Sequence, residues 1–321
     1  MSRYKVTRRR FLGLPVALFT PLSLFGPLAR ADLVQHTSAM TKKVSASKKP
    51  TIGIALGAGG ANGLTHILML EALDEMGITP HRISGSSIGA IIGALYASGM
   101  SGTQIRKHVE QFIISPDEKL FEELVNKDAL RWIEFIEIEL GQGGLLNSEG
   151  FISYLYDALK HDTFEELKIP LRMVAADLWN RQQVVFDSGA LLPAIKASMA
   201  LPGVFEPVLF NDKVLVDGGT VNPVPYDLLT ADCDIVIGID VIGERSSPDT
   251  SIPTYFETIF NSVKVMQHAI MTEKLQCNKP AIYMAPRIVD IRALEFYRAE
   301  QIFAQAQPAK EELKRQLAQL L

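Results

Sequence analysis

The sequence predicts an α/β fold with a mostly parallel central sheet covered by helices on both faces. Two observations carry that expectation. Short apolar runs bounded by glycine alternate with stretches whose apolar residues recur at helical spacing, an order that builds strand-crossover-strand units. With 47% hydrophobic residues among 321, the chain also has ample material for a large buried core.

Thr51–Leu56 is the first apolar run and reads as a buried strand. Ile67, Leu68, Leu70, Leu73 and Met76 then repeat at helical spacing within Leu64–Met76, and Gly77 stops that helix. Arg82–Ser84 reads as a second strand, followed by a small-residue helix, Ile88–Ser98, that Gly99 closes. Further strands are expected at Leu171–Ala176, Val184–Phe186, Val214–Val216, Ile235–Val241 and Ala281–Met284, with helices at Phe151–Leu159 and Leu191–Ser198. Residues 101–150 interleave Glu122, Glu123, Glu134, Glu137 and Glu139 with apolar residues and Trp132, which fits an amphipathic helical insertion. Its charges form either a solvated face or the outside of a mobile cover over a binding site. The part from 253 to 321 reads as helical apart from the strand near Tyr283. Pro308 is expected to open the last helix, since a missing N–H costs nothing in a first turn.

The amino-terminal segment has a different character. Residues 1–31 hold six basic residues and no acids, which leaves 26 basic against 36 acidic residues in the other 290. So acidic a body is a poor partner for nucleic acid. Met1–Arg10 is a basic n-region, Phe11–Ala29 is free of charge, and Ala29-Arg30-Ala31 is an A-x-A cleavage site. Within it, Thr7-Arg8-Arg9-Arg10-Phe11-Leu12 resembles the twin-arginine export motif, which a receptor reads. The expected organisation is an export signal at 1–31, a polar tether at 32–49, a catalytic domain at 50–245, and a mainly helical part at 246–321 packed on it. The mature protein is then periplasmic, with the twin-arginine machinery as a partner. An uncleaved segment would instead anchor it in the membrane, although Pro15, Pro21 and Pro27 interrupt a spanning helix. Cys233 and Cys277 cannot make a disulfide scaffold, and their pairing stays open. No Cys/His cluster has metal spacing, so neither metal nor cofactor is expected.

Three segments carry the chemistry. Gly57-Ala58-Gly59-Gly60-Ala61-Asn62-Gly63 lies between a strand and a helix, where backbone N–H groups can converge on an anion. A dinucleotide fingerprint fails in both registers, because position 62 is Asn in one and position 58 is Ala in the other. Gly85-Ser86-Ser87-Ile88-Gly89 is a G-x-S-x-G turn, again from strand to helix, which exposes the hydroxyl of Ser87 on a tight elbow. Asp217-Gly218-Gly219 ends a later strand, at the edge of a parallel sheet where ligands bind.

In this order the three segments resemble the patatin-like phospholipases. The likeness runs from about Thr51 to Val241 and includes Ala194–Pro207 and Asn222-Pro223-Val224-Pro225. It implies a three-layer α/β/α fold and a serine lipid acyl hydrolase, of phospholipase A, lysophospholipase or carboxylester hydrolase type, acting on a lipid or acyl ester at a membrane surface. Ser87 would be the nucleophile and Asp217 its base, in a dyad without histidine. Backbone N–H groups around Gly59, Gly60 and Ala61 would form the oxyanion hole. Gly85, Gly89, Gly218, Gly219, Asn62 and Gly63 complete the motifs. The family's loop has a glycine at Ala58 and a basic residue at Asn62, so a positive charge near the hole is missing here. Two other readings remain open. One is an α/β-hydrolase triad, for which only His268 lies beyond Asp217; the other is an inactive or catalytically weak lipid-binding protein on the same fold.

The export reading predicts that replacing Arg8 and Arg9 with Lys retains the precursor in the cytoplasm, as cell fractionation would show. Mass spectrometry of the exported form should begin at Asp32. Normal export of the variant rejects the route.

Overall fold

The computed structural model describes residues 49–114, 158–244, 252, 255–293 and 295–321. The export segment, nearly all of the tether, most of the 101–150 insertion and most of the expected 151–159 helix lie outside the described residues.

The strands are β1 (Ile52–Leu56), β2 (Arg82–Ser86), β3 (Leu171–Asp177), β4 (Gln182–Phe186), β5 (Val208–Phe210), β6 (Lys213–Asp217), β7 (Ile235–Ile239) and β8 (Ile282–Met284). They form one sheet in the order β5-β6-β3-β2-β1-β7-β8, with β4 also on β3. The run from β3 through β2, β1 and β7 to β8 is parallel. The pairs β3–β4, β3–β6 and β5–β6 are antiparallel. The helices are α1 (Thr65–Glu75), α2 (Ile88–Ala97), α3 (Gly102–Ile114), α4 (Leu191–Met199), α5 (Tyr255–Cys277) and α6 (Ala299–Leu320).

The side-chain alternation of the central strands feeds two cores, which makes three layers. On one face Ile54 and Leu56 of β1 and Ile235, Ile237 and Ile239 of β7 pack with α1, α2, α4 and α6. On the other, Ala55 and Val236 meet Tyr226, Leu229 and Met271 of α5. Because both faces are covered, β1 and β7 are buried at every position.

The register of β3 decides where the site can form. Along one edge, Leu171–Val174 pair with β2, and from Ala175 to Asp177 the partner becomes β6. β4 spans both stretches, so it occupies the opposite edge. β2 therefore ends at Ser86 where β6 arrives with Asp217, and the two chain ends meet in line.

Two expectations are corrected. Pro308 sits inside α6 and does not open it. Buried residues flank it on both sides, Ile302, Phe303 and Ala306 before and Leu313 and Leu317 after, and their burial offsets the roughly 3 kcal/mol that an interior proline costs. The sequence reading also has no strand at Val208–Phe210, which is only three residues long and forms by pairing with β6 rather than by its own pattern.

A buried ion cluster ties α6 to α1. Lys310 Nζ lies 2.8 Å from Glu71 Oε2 and 2.7 Å from Glu75 Oε1, and Arg106 of α3 meets Glu71 at 2.9 Å. Removing Lys310 leaves the buried Glu71 carboxylate to Arg106 alone, in a place with little water. Lys310→Met should lower stability by about 2–3 kcal/mol in urea unfolding. Lys314→Met, which cuts only exposed pairs, should be near neutral. Equal effects would contradict this packing.

Candidate active site

Ser87 stands between β2 and α2 with φ 54° and ψ −126°, a strained conformation for a residue with a side chain. Such strain costs of order 1–3 kcal/mol and persists only where neighbours enforce it. They do so from both sides. The Ser87 N–H donates to Ser198 Oγ at 3.0 Å, at the end of α4. One residue earlier, Ser86 Oγ donates to the Asn222 carbonyl at 2.7 Å. Gly89 is required by close approach, since a Cβ there would lie 2.1 Å from the Leu56 carbonyl oxygen.

Asp217 ends β6 and is 2% exposed. Its Oδ1 accepts the Gly219 N–H at 2.7 Å. Oδ2 is buried and makes no well-aligned hydrogen bond. The neighbouring Ser87 hydroxyl is the side-chain donor that favours the charged carboxylate. Such contacts are often long in an enzyme without substrate and tighten on binding. Burial outweighs both donors and raises the carboxyl to about 6, and no charged side chain is among the groups that shift it.

The glycine-rich segment runs into a 3-10 turn, Gly60–Leu64, before α1. Gly60 has φ +59°, and a Cβ there would lie 2.3 Å from the Ala293 carbonyl oxygen. Ala58 N–H donates to the Pro223 carbonyl and Ala61 N–H to the Ala293 carbonyl, both at 2.8 Å. The expectation for Ala61 is thus corrected: the 3-10 turn aims its N–H at the 290s loop. Gly59 and Gly60, half-buried and with no acceptor for their N–H groups among the described residues, remain as donors. The Asn62 expectation changes too. Its side chain is buried and donates to the Ile242 carbonyl at 3.2 Å, so the residue serves packing between the turn and the segment after β7. Gly219 packs directly on Ala58, which joins the acid turn to the glycine loop.

Neither His66 nor His268 is among the groups that act on Asp217. His66 is fully buried, with Nε2 2.8 Å from the Gly57 carbonyl, and burial lowers it to about 4. It is a neutral donor that steadies the glycine loop. His268 is exposed on α5. Ser84, Ser86 and Ser198 were not singled out as site residues in the sequence. They show no pattern of their own, although Ser84 and Ser86 share one face of β2 and both donate into Asn222–Pro225. Both cysteines are free, and the described residues contain no His/Cys/Asp/Glu group that could hold a metal.

The sequence model of the family described as patatin-like phospholipase matches residues 54–230, more than half of the chain. The chain belongs to that family. Among patatin-like relatives, an uncharacterized NTE family protein of Mycobacterium tuberculosis is 31% identical over 207 residues, covering 64% of this chain and 53% of its own. The human patatin-like phospholipase domain-containing protein 6 is 28% identical over 233 residues, 72% of this chain and 16% of that one. The chain therefore spans about half the length of the mycobacterial relatives. The crystal structure of VipD from Legionella pneumophila aligns with a TM-score of 0.44 at 14% identity, over 83% of this chain and 67% of that one.

The raised Asp217 value has a consequence for stability. A carboxyl whose folded pKa exceeds its unfolded value holds its proton more readily when folded. Its contribution to stability is complete below the unfolded value near 3.8 and is lost as pH rises through about 6. At neutral pH the buried charge is a burden. Asp217→Asn should therefore stabilise the protein by about 3 kcal/mol at pH 8 and have little effect at pH 3.5. Urea unfolding at both values decides it, and a destabilised variant at pH 8 would contradict the burial.

Proposed function

We propose that the protein is a serine lipid acyl hydrolase that works through a Ser87–Asp217 dyad. The observation that carries this reading is a buried carboxyl, paired with no cation among the described residues, whose side-chain donor is the hydroxyl of a strained serine elbow. A serine hydroxyl is a weak nucleophile at neutral pH and needs an adjacent base. Ser87 Oγ attacks the ester carbonyl as its proton passes to Asp217. The Gly59 and Gly60 N–H groups receive the oxyanion, where one preorganised donor is worth about 2.7–4 kcal/mol. The tetrahedral intermediate collapses, the C–O bond breaks, and protonated Asp217 gives its proton to the leaving alcohol. Water then gives a proton to Asp217 as it attacks the acyl carbonyl, and that proton passes to Ser87 Oγ as the acyl–Oγ bond breaks and the fatty acid leaves. Membership of the patatin-like family supports a lipid ester as substrate.

A bilayer surface as the place of action is supported by exposed apolar side chains at the far end of the β3–β6 ladder from Asp217. The turn after β3 is joined to β6 by the Leu178 N–H, which donates to the Val214 carbonyl at 2.9 Å. Trp179 is 73% exposed there and Leu209 of β5 is 75% exposed, and an indole at a tip suits the membrane interface. Export to the periplasm through Arg8-Arg9 is part of the same proposal. A triad has little to support it, since His268 is exposed on α5 and is not among the groups that act on Asp217.

Residues 32–321 should hydrolyse phospholipid, lysophospholipid or short acyl esters. Ser87→Ala and Asp217→Asn should each abolish turnover with the fold retained. His268→Gln should stay within tenfold, about 1.4 kcal/mol of barrier. If His268→Gln falls as far as Ser87→Ala, the triad replaces the dyad.

A further inference from the structure

Four consecutive carbonyls after the acid turn accept hydrogen bonds from three separate parts of the protein. The Asn222 carbonyl takes Ser86 Oγ at 2.7 Å, and the Pro225 carbonyl takes Ser84 Oγ at 2.9 Å. The Pro223 carbonyl takes the Ala58 N–H at 2.8 Å. The Val224 carbonyl takes Lys274 Nζ at 2.8 Å. The first two bonds reach the strand that carries Ser87, and the third reaches the glycine loop. The segment also returns to the acid turn, since the Asn222 N–H donates to the Gly218 carbonyl at 2.9 Å. Asn222–Pro225 is thus the hub on which nucleophile strand, oxyanion loop and acid are aligned.

Its two prolines lack N–H groups, so the segment cannot secure itself through an ordinary ladder. Side chains from outside must hold it, and α5 supplies the charged one. Lys274 Nζ donates to Asn222 Oδ1 at 2.6 Å as well as to Val224, pairs with Asp227, and lies 4.3 Å from the centre of the Tyr226 ring. Asn222 in turn donates to Gln183 of β4 at 2.6 Å. The side chain of Lys274 is 17% exposed, and burial lowers its pKa against the pull of Asp227. Seven residues earlier on the same face of α5, Gln267 is buried, with its amide against Gly219. One helix face therefore braces the acid turn at two points.

We propose that Lys274 is a positioning residue: through Asn222 and Val224 it holds the Asp217 turn in line with Ser87 and the glycine loop. This rests on the dyad reading. Without Lys274 the hub keeps its bonds to β2 and the glycine loop but loses its brace on α5. Asp217 then becomes less well aligned and less dry. The groups that act on Asp217 are the Ser87 hydroxyl and the Gly219 N–H, with no charged side chain among them, so burial controls its titration.

The test is Lys274→Met in the full chain, assayed on a soluble short-chain ester. Turnover is counted per Ser87 titrated with an organophosphonate, so that unfolded protein does not enter the rate. The proposal expects kcat per titrated serine to fall at least tenfold with KM within about twofold. The acid limb of kcat should also move down by at least half a pH unit, because a wetter carboxyl loses its proton more easily. A merely structural lysine would lower the titratable fraction and leave both readouts unmoved, and that result overturns the proposal. Should Lys274→Met not fold, Asn222→Ser removes the side-chain acceptor while keeping the main-chain bond to Ser86, and the same two readouts apply. The dyad itself stands or falls on Ser87→Ala and Asp217→Asn. An unaltered Lys274→Met in an enzyme that those two abolish overturns only the role of Lys274.

Discussion

A strand has two edges, and one edge of β3 is shared end to end by β2 and β6. Most of the site follows from that arrangement. β2 cannot continue past Ser86 without colliding with β6, so the chain must turn sharply into α2. The turn places Ser87 at a φ that side chains avoid. From the other direction, antiparallel to β3, β6 delivers Asp217 to the same gap. A purely parallel sheet would leave that gap to loops. Here two backbone ladders set the separation of serine and acid, and ladders are stiffer than loops.

The second constraint is that, among the described residues, no cation acts on Asp217. The charge of Asp217 is held by the Gly219 N–H and the Ser87 hydroxyl. Such a site pushes a carboxyl toward the pH where it can exchange a proton with a serine. A nearby Lys or Arg would stabilise the charge and weaken the base. The polar groups that support the site bind main-chain atoms instead. His66 bonds Gly57, Ser198 bonds the Ser87 N–H, and Lys274 reaches the loop beyond the acid. They fix geometry without adding positive charge at the carboxyl.

Much of this was legible in the sequence because the parts are local. A glycine-rich turn, a G-x-S-x-G elbow and a D-G-G turn each announce themselves within seven residues, and apolar runs mark the buried strands. What escaped depends on distant partners. Nothing near Ala61 indicates that Ala293 takes its N–H. Nothing near Val208–Phe210 marks an edge strand that exists only by pairing with β6. Pro308 signals a helix start by local rule, and the apolar face of α6 carries the helix through it. Ser84 and Lys274 lie 190 residues apart and converge on one four-residue segment, a relation that spacing cannot reveal.

The pH dependence of Ser87 labelling by a neutral organophosphonate reports most directly on the dyad. The labelling rate depends on the base that takes the serine proton, and the acyl-transfer substrate plays no part in it. The account predicts a single inflection near pH 6, present in His66→Gln and His268→Gln and lost in Asp217→Asn. An inflection that survives in Asp217→Asn and disappears with either histidine would contradict it.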